Sequence, residues 1–301
     1  MRLLKTLLLI SLSAAVIFSC DYVANSKKPV TTVLNSSSST TSPPAVVRKI
    51  MIEDYTGHKC GNCPAAARML TSMESQSTYS GNIVPIAVHA GFYSQVTPTS
   101  NPPYPTNLTS QAGTDWDTFF GNSAFGNPNG LIDRAPSSDS SSFIKQYSSW
   151  GAAATAILAL TPQFQLTINN TYNSSSNQVS TTVTAKALQS VSGTFNLTIV
   201  ITEDSIYGEQ EDYSMPVGQQ YITNYLFNHV LRTSVNGSWG ELVFSGSISA
   251  NSTNTITHAN FQLSSNWKTA HLHVIAFIYD AASTGSPTKN QVFQVETKTV
   301  L

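Results

Sequence analysis

His58-Lys59-Cys60-Gly61-Asn62-Cys63-Pro64 stands between two segments of opposite character. Residues 46–55 (VVRKIMIEDY) are rich in β-branched and apolar side chains and are followed by Thr56-Gly57. That is the pattern of a buried strand ending in a turn. From Pro64 the chain continues AAARMLTSME, strong helix formers with Ala66, Met69, Leu70 and Met73 at helical spacing. Pro64 suits a first helical turn, where its missing N–H has no partner to lose. The two cysteines are therefore expected where a strand hands over to a helix N-terminus. The helix dipole, its free N–H groups and Lys59 all favour a thiolate there.

Two residues between the cysteines bring the sulfurs within reach of a small disulfide. In such a dithiol the first cysteine is expected to be exposed for attack, and the second, one turn inside, resolves the mixed disulfide. A C-x-x-C pair beside a β–α–β pattern is a thioredoxin-like signature. Asp54, six residues before Cys60, stands where thioredoxins carry a buried carboxylate beneath the active site. Asn127-Pro128-Asn129-Gly130-Leu131-Ile132-Asp133-Arg134 resembles the segment in which that family places a cis-proline facing the disulfide. The resemblance implies Cys60 as nucleophile, Cys63 as resolving thiol, Asp54 as proton acceptor and Asn127-Pro128 as a backbone ledge for substrate. His58 beside the motif is positioned to raise thiol acidity. The pair carries the electrons itself, so no separate cofactor is required. A zinc site begins with the same spacing, but the chain has no second C-x-x-C. Lys59 replaces the aromatic residue that precedes the first cysteine in thioredoxins, and Asn62 replaces the usual Pro or His. A disulfide that only staples the turn is the competing reading.

The compartment is read from the beginning of the sequence. Met1-Arg2-Leu3-Leu4-Lys5 gives a short basic region, and residues 6–18 an apolar stretch too short for an ordinary spanning helix. Ile17-Phe18-Ser19-Cys20 resembles the lipobox of bacterial lipoproteins, which implies residues 1–19 as signal peptide and a lipid on Cys20. A multiply acylated cysteine anchors stably to a membrane. The chain has 3 cysteines, so one serves the lipid and two the C-x-x-C, and an oxidising envelope compartment suits a disulfide. Charged residues make up only 10%, far below the ~25% of average domains. The polar surface must come from Ser, Thr, Asn and Gln instead. A net charge of −1 without a basic cluster speaks against nucleic-acid binding.

Residues 20–45 are Ser-, Thr- and Pro-rich and read as a tether. Residues 46–160 alternate strand and helix patterns, which predicts an α/β thioredoxin-like domain. Within it, residues 82–89 (NIVPIAVH) read as a second buried strand, 91–112 as an insertion on the active-site side, 113–120 as a helix capped by Thr114 or Asp115, and 142–160 as a closing helix. From Thr161 the texture changes to β-branched and polar residues in alternation. Seven strands are expected, at 164–172, 178–188, 194–203, 226–235, 255–263, 271–279 and 291–300, which predicts a separate all-β, Ig-like sandwich over 161–301.

Taken together, the GHKCGNCP stretch, the Pro128 segment, Asn228-His229-Val230-Leu231-Arg232 and Trp239-Gly240-Glu241 resemble the outer-membrane-protein-28-related lipoproteins of Gram-negative bacteria. The resemblance implies a lipid-anchored outer-membrane protein. Its partners would be the membrane, through Cys20, and either the thiols of exported proteins or a surface ligand. A surface adhesin or ligand-binding lipoprotein is the alternative to thiol–disulfide exchange. His271 and His273 share a strand face, but no third ligand is placed near them and no metal site is expected. His89 ends a strand near the cysteine turn and is positioned to line a groove there.

Overall fold

The computed structural model describes residues 46–136, 142–282, 286 and 288–301. The signal peptide, the tether and Cys20 lie outside the described residues. Strand β1 (Ile50–Thr56) leads through the cysteine turn into helix α1 (Cys63–Ser75), and the chain returns in β2 (Ile83–His89), parallel to β1. Helices α2 (Gln111–Phe120) and α3 (Asn122–Phe125) precede β3 (Asn129–Ile132), which is antiparallel to β1, and α4 (Trp150–Leu158) follows. The rest is strand: β4 (Phe164–Asn173), β5 (Gln178–Ala187), β6 (Val191–Glu203), β7 (Ile206–Glu211), β8 (Tyr221–Phe227), β9 (Val230–Ser234), β10 (Glu241–Ile248), β11 (Thr253–Gln262), β12 (Leu272–Asp280) and β13 (Val292–Thr299).

This arrangement overturns the expected α/β thioredoxin-like domain followed by an Ig-like sandwich. Strand outweighs helix, 44% against 18%, too much for an α/β half to stand apart. An eight-stranded sheet runs β13-β12-β6-β9-β2-β1-β3, with β10 also on β6, so strands from either side of residue 160 share one sheet. The β1–α1–β2 unit is thus one part of that sheet. The physical reason lies in β6 and β12. Residues 197–203 and 274–280 are buried without interruption, where a strand with one wet face would alternate.

Alternation along the strands sorts the two faces. On one face, Met51, Val84, Ile86, Val88, Val200, Ile275, Phe277 and Val295 form a core into which α2 packs Ala112 and Trp116. The opposite face is covered twice. Ile50, Ile52, Ile83 and Ile132 meet α1 and α4, whereas Leu197, Ile199, Ile201, Val274, Ala276 and Ile278 meet the β11-β5-β4 sheet. The large sheet curls until its ends are bridged. Gln294 accepts the Lys49 N–H at 2.8 Å and donates to the Val47 carbonyl at 3.0 Å. Val292 N–H reaches the Asp133 carbonyl at 2.7 Å. Two ion pairs are sealed in. Arg48 reaches Asp133 at 2.5 Å, and Arg134 holds both oxygens of Glu53 at 2.8 and 2.9 Å beneath the Trp116 and Phe277 rings.

Several local expectations shift. Helix α2 begins at Gln111, ahead of the expected start at Gly113, because Ser110, rather than Thr114 or Asp115, caps it by accepting the Gly113 N–H. The helix expected over 142–160 is confined to α4, since Lys145 is extended and exchanges backbone hydrogen bonds with Gly130. The strand expected over 226–235 is broken by His229 at φ 58° into β8 and β9, and β7 and β10 add to the expected strands.

Replacing Arg134 by Met would leave the Glu53 carboxylate alone in the inner core. Arg134→Met should cost about 3–5 kcal/mol in denaturant unfolding, and Glu53→Gln/Arg134→Met should recover much of that loss.

Candidate functional site

Cys60 and Cys63 form a disulfide, with Cα atoms 5.4 Å apart. The turn that carries them is closed by Cys60 N–H to Gly57 O at 3.0 Å and Cys63 N–H to Cys60 O at 3.1 Å, and α1 begins at Cys63 with Pro64 in its first turn. The expected exposure of the first cysteine is not found. Cys60 is 3% and Cys63 1% exposed.

The cover is the β7–β8 hairpin, which pairs antiparallel with itself and lies along the cysteine turn. Glu211 N–H donates to His58 O and Tyr213 N–H to Gly61 O, both at 2.8 Å, while the Gln210 carboxamide donates to Cys60 O at 3.1 Å. Arg68 on α1 clasps Asp212 at 2.7 Å. Tyr213 passes directly over Gly61, where a Cβ would stand 2.4–2.5 Å from its ring carbons, so only glycine fits. Residues 91–112 support the hairpin from the other side. Tyr104 donates to Glu211 at 2.9 Å and Thr106 to Glu209 at 2.7 Å.

Beneath the disulfide, between α1 and the strand ends, is a cavity of about 110 Å³ lined by Asp54, Cys63, Arg68, His89, Tyr225 and His229 among others. Asp54 and His89 reach it because even positions of β1 and odd positions of β2 face α1. Among the described residues no protein group hydrogen-bonds Asp54 Oδ1, and His89 makes no well-formed side-chain hydrogen bond. Burial pushes the Asp54 carboxyl up to about 7, moderated by the nearby His229. Burial drives His89 down to about 3, so its ring is neutral. His58 is buried with Nε2 3.1 Å from Gln95 O and its ring tilted on Tyr104. Burial lowers its pKa. The Lys59 ammonium lies over the Phe92 ring at 4.9 Å.

The Asn127–Pro128 peptide is cis. Because Asn129 pairs with Tyr55, Pro128 stands at the same end of the sheet as the cysteine turn. The Asn127 carboxamide is buried without a partner among the described residues. Cys20 lies outside those residues. Gln210, Tyr213 and His229 belong to the site although the motif gave no sign of them. Only His229 stood in a stretch that the family resemblance had singled out. His273 pairs with Asp204 at 3.1 Å, and no cluster suited to a metal occurs among the described residues.

The sequence family described as outer membrane protein Omp28 matches residues 117–300, more than half of the chain, and the chain belongs to that family. The matched region includes the covering hairpin and His229 but begins after the cysteines. Among solved structures the chain is similar to HBP35 of Porphyromonas gingivalis, with a TM-score of 0.60 and 14% identity over 85% of this chain and 76% of that one. At that identity the likeness is one of fold. No curated protein sequence matches. Membership makes this an outer-membrane protein of the cell envelope, and among the described residues no helix is long and apolar enough to cross a membrane.

The elevated Asp54 pKa has a sign that unfolding measures. Below about 4 the acid is neutral in both states. Between about 4 and about 7 the unfolded chain is ionised while the folded acid keeps its proton, so stability falls across that window, and above about 7 the loss is complete. Asp54→Asn should therefore gain on the wild type by a few kcal/mol at pH 8, on the order of the shift itself, and by little at pH 4. Parallel denaturant titrations of the oxidised proteins at the two pH values test this.

Proposed function

We propose that this outer-membrane protein performs thiol–disulfide exchange on exported proteins through Cys60 and Cys63, and that Cys20 carries the lipid that anchors it. The observation that carries the reading is Asp54. A buried carboxyl without a protein partner, in a cavity bordered by Cys63, is expensive to keep and serves no structural bridge. As a proton acceptor and donor for Cys63 its elevated pKa is well placed near neutrality. A thiolate of the substrate attacks Cys60 Sγ and forms a mixed disulfide. The S–S bond breaks, and Cys63 leaves with the electron pair and takes a proton from Asp54. A second substrate thiolate then releases Cys60, so the substrate is oxidised and the pair reduced by two electrons. The reverse sequence reduces a substrate disulfide.

Exchange on this reading requires the hairpin to lift, because attack on a disulfide needs access to its sulfur. The Arg68–Asp212 clasp and Tyr213 over Gly61 add to the bonds from Gln210, Glu211 and Tyr213 in holding the hairpin, and all of these must yield in a local opening. A second reading takes the complete burial of both cysteines at face value. The disulfide then staples the turn, and the protein is a surface adhesin or ligand-binding lipoprotein.

Reduction by a small dithiol separates the two. Exchange predicts a potential above about −300 mV, and a value well below it favours a staple. Asp212→Asn/Tyr213→Ala should accelerate reduction several-fold, and Cys63→Ser in that background should trap envelope proteins on Cys60 in non-reducing electrophoresis. Unchanged reduction and no trapped partner would leave the binding reading.

The anchor is tested separately. Cys20→Ser should abolish acyl labelling and move the protein out of the detergent phase, and acylation that persists would remove the assignment.

A further inference from the structure

Asp54 is only 3% exposed, so a proton it accepts or donates during exchange passes by way of the cavity and the groups around it. Those facing the cavity are Cys63 and Arg68 from α1, His89 from β2, and Tyr225 and His229 from β8 and the turn after it. Arg68 keeps its proton throughout. Tyr225 is partly buried, and desolvation makes it hold its proton more firmly than an ordinary phenol. His89 is only 2% exposed and remains neutral. His229 alone combines a place in the cavity wall with an opening to solvent, its side chain being 26% exposed.

The chain fixes that ring with care. The His229 N–H donates to Asp204 Oδ1 at 2.6 Å, and its carbonyl accepts the Ala87 N–H at 2.8 Å, which anchors the turn to β2. Nε2 lies 3.4 Å from Glu74 on α1, and Nδ1 3.4 Å from Asp204. The other Asp204 oxygen is 3.1 Å from His273 Nε2 on β12. The imidazole thus has the cavity on one side and two half-exposed carboxylates on the other. Burial opposes its protonation, but Glu74, Asp204 and Asp54 outweigh this and raise its pKa above the ordinary value. A cavity of about 110 Å³ with Asp54, His89 and His229 in its wall has room for several waters.

We infer that His229 is the proton conduit of the cysteine site, exchanging protons between bulk water and the Asp54 carboxyl through water in the cavity. It is a positioning residue, acting on the sulfurs only through Asp54, and its role rests on the exchange reading. When Cys63 leaves as thiolate it takes the Asp54 proton. His229 replaces that proton and is recharged from solvent beside Glu74 and Asp204. In the reverse direction each proton retraces the path.

The test uses His229→Gln and, on the exposed face of α1, Glu74→Gln, with Asp54→Asn as reference. Carbon-13 carboxyl resonances of the oxidised proteins follow Asp54, and reduction by dithiothreitol is timed across pH. In His229→Gln the Asp54 midpoint should move up by about one pH unit as its cationic neighbour is lost. Reduction near pH 7 should slow by about tenfold and be restored in part by added imidazole. Glu74→Gln should shift the rate profile to lower pH without loss at its optimum. An Asp54 midpoint unchanged in His229→Gln, or rate profiles that superimpose on the wild type, would overturn the conduit. If Asp54→Asn itself is reduced like the wild type, the exchange reading fails instead, and the Asp54 resonance still reports whether His229 is coupled to it.

Discussion

The backbone hydrogen bond from the Ala87 N–H to the His229 carbonyl joins β2 to the second half of the sequence within the large sheet. Strand β2 is flanked by β1 on one edge, and its other edge would be an open row of donors and acceptors. The turn before β9 closes that edge, and Val230 pairs with Ala87 directly after it. Everything above the cysteines follows from this seam. The β7–β8 hairpin, a two-stranded sheet of its own, leads directly into β9, so anchoring His229 on β2 also fixes where its second strand ends. The same residue that carries the seam faces the cavity with its side chain.

Adjacent residues of β1 show how the curled sheet separates structure from chemistry. Glu53 points into the inner core and is met by a bidentate arginine beneath aromatic rings. Asp54 points to the other face and is left without a protein partner on Oδ1. A paired buried charge holds strands in place, whereas an unpaired acid remains free to change its proton. One step along the strand is enough to divide the two roles, because successive side chains leave opposite faces.

The β1–α1–β2 succession was legible because Thr56-Gly57, the cysteines and Pro64 punctuate it so strongly. The facing of Asp54 toward α1 follows from strand alternation alone. The sandwich reading failed where tertiary context overrode texture. In β12 the stretch VIAFIYD is a nearly unbroken apolar run, and in β6 the apolar core of TIVITE is also buried without alternation, a sign that both faces are covered, yet the alternation around them invited a sandwich. The hairpin was invisible because IYGEQE offers almost no apolar period, and its strands are held by backbone and by residues 97–107. Nor does any local pattern report that Cys60 is buried, since what buries it lies about 150 residues away, as the Gln210 contact shows. The split at His229 depends on a left-handed backbone that histidine tolerates only somewhat better than most residues.

Gly61 lies between the cysteines, the natural place for a side chain that adjusts the electron affinity of a dithiol. Here that position is occupied by the ring of Tyr213. Any side chain added at 61 must first displace the tyrosine ring. The energetics of the sulfurs and the ease of reaching them are therefore tied to a single atom's worth of space. In this scaffold the two properties cannot be engineered, or evolve, independently of each other.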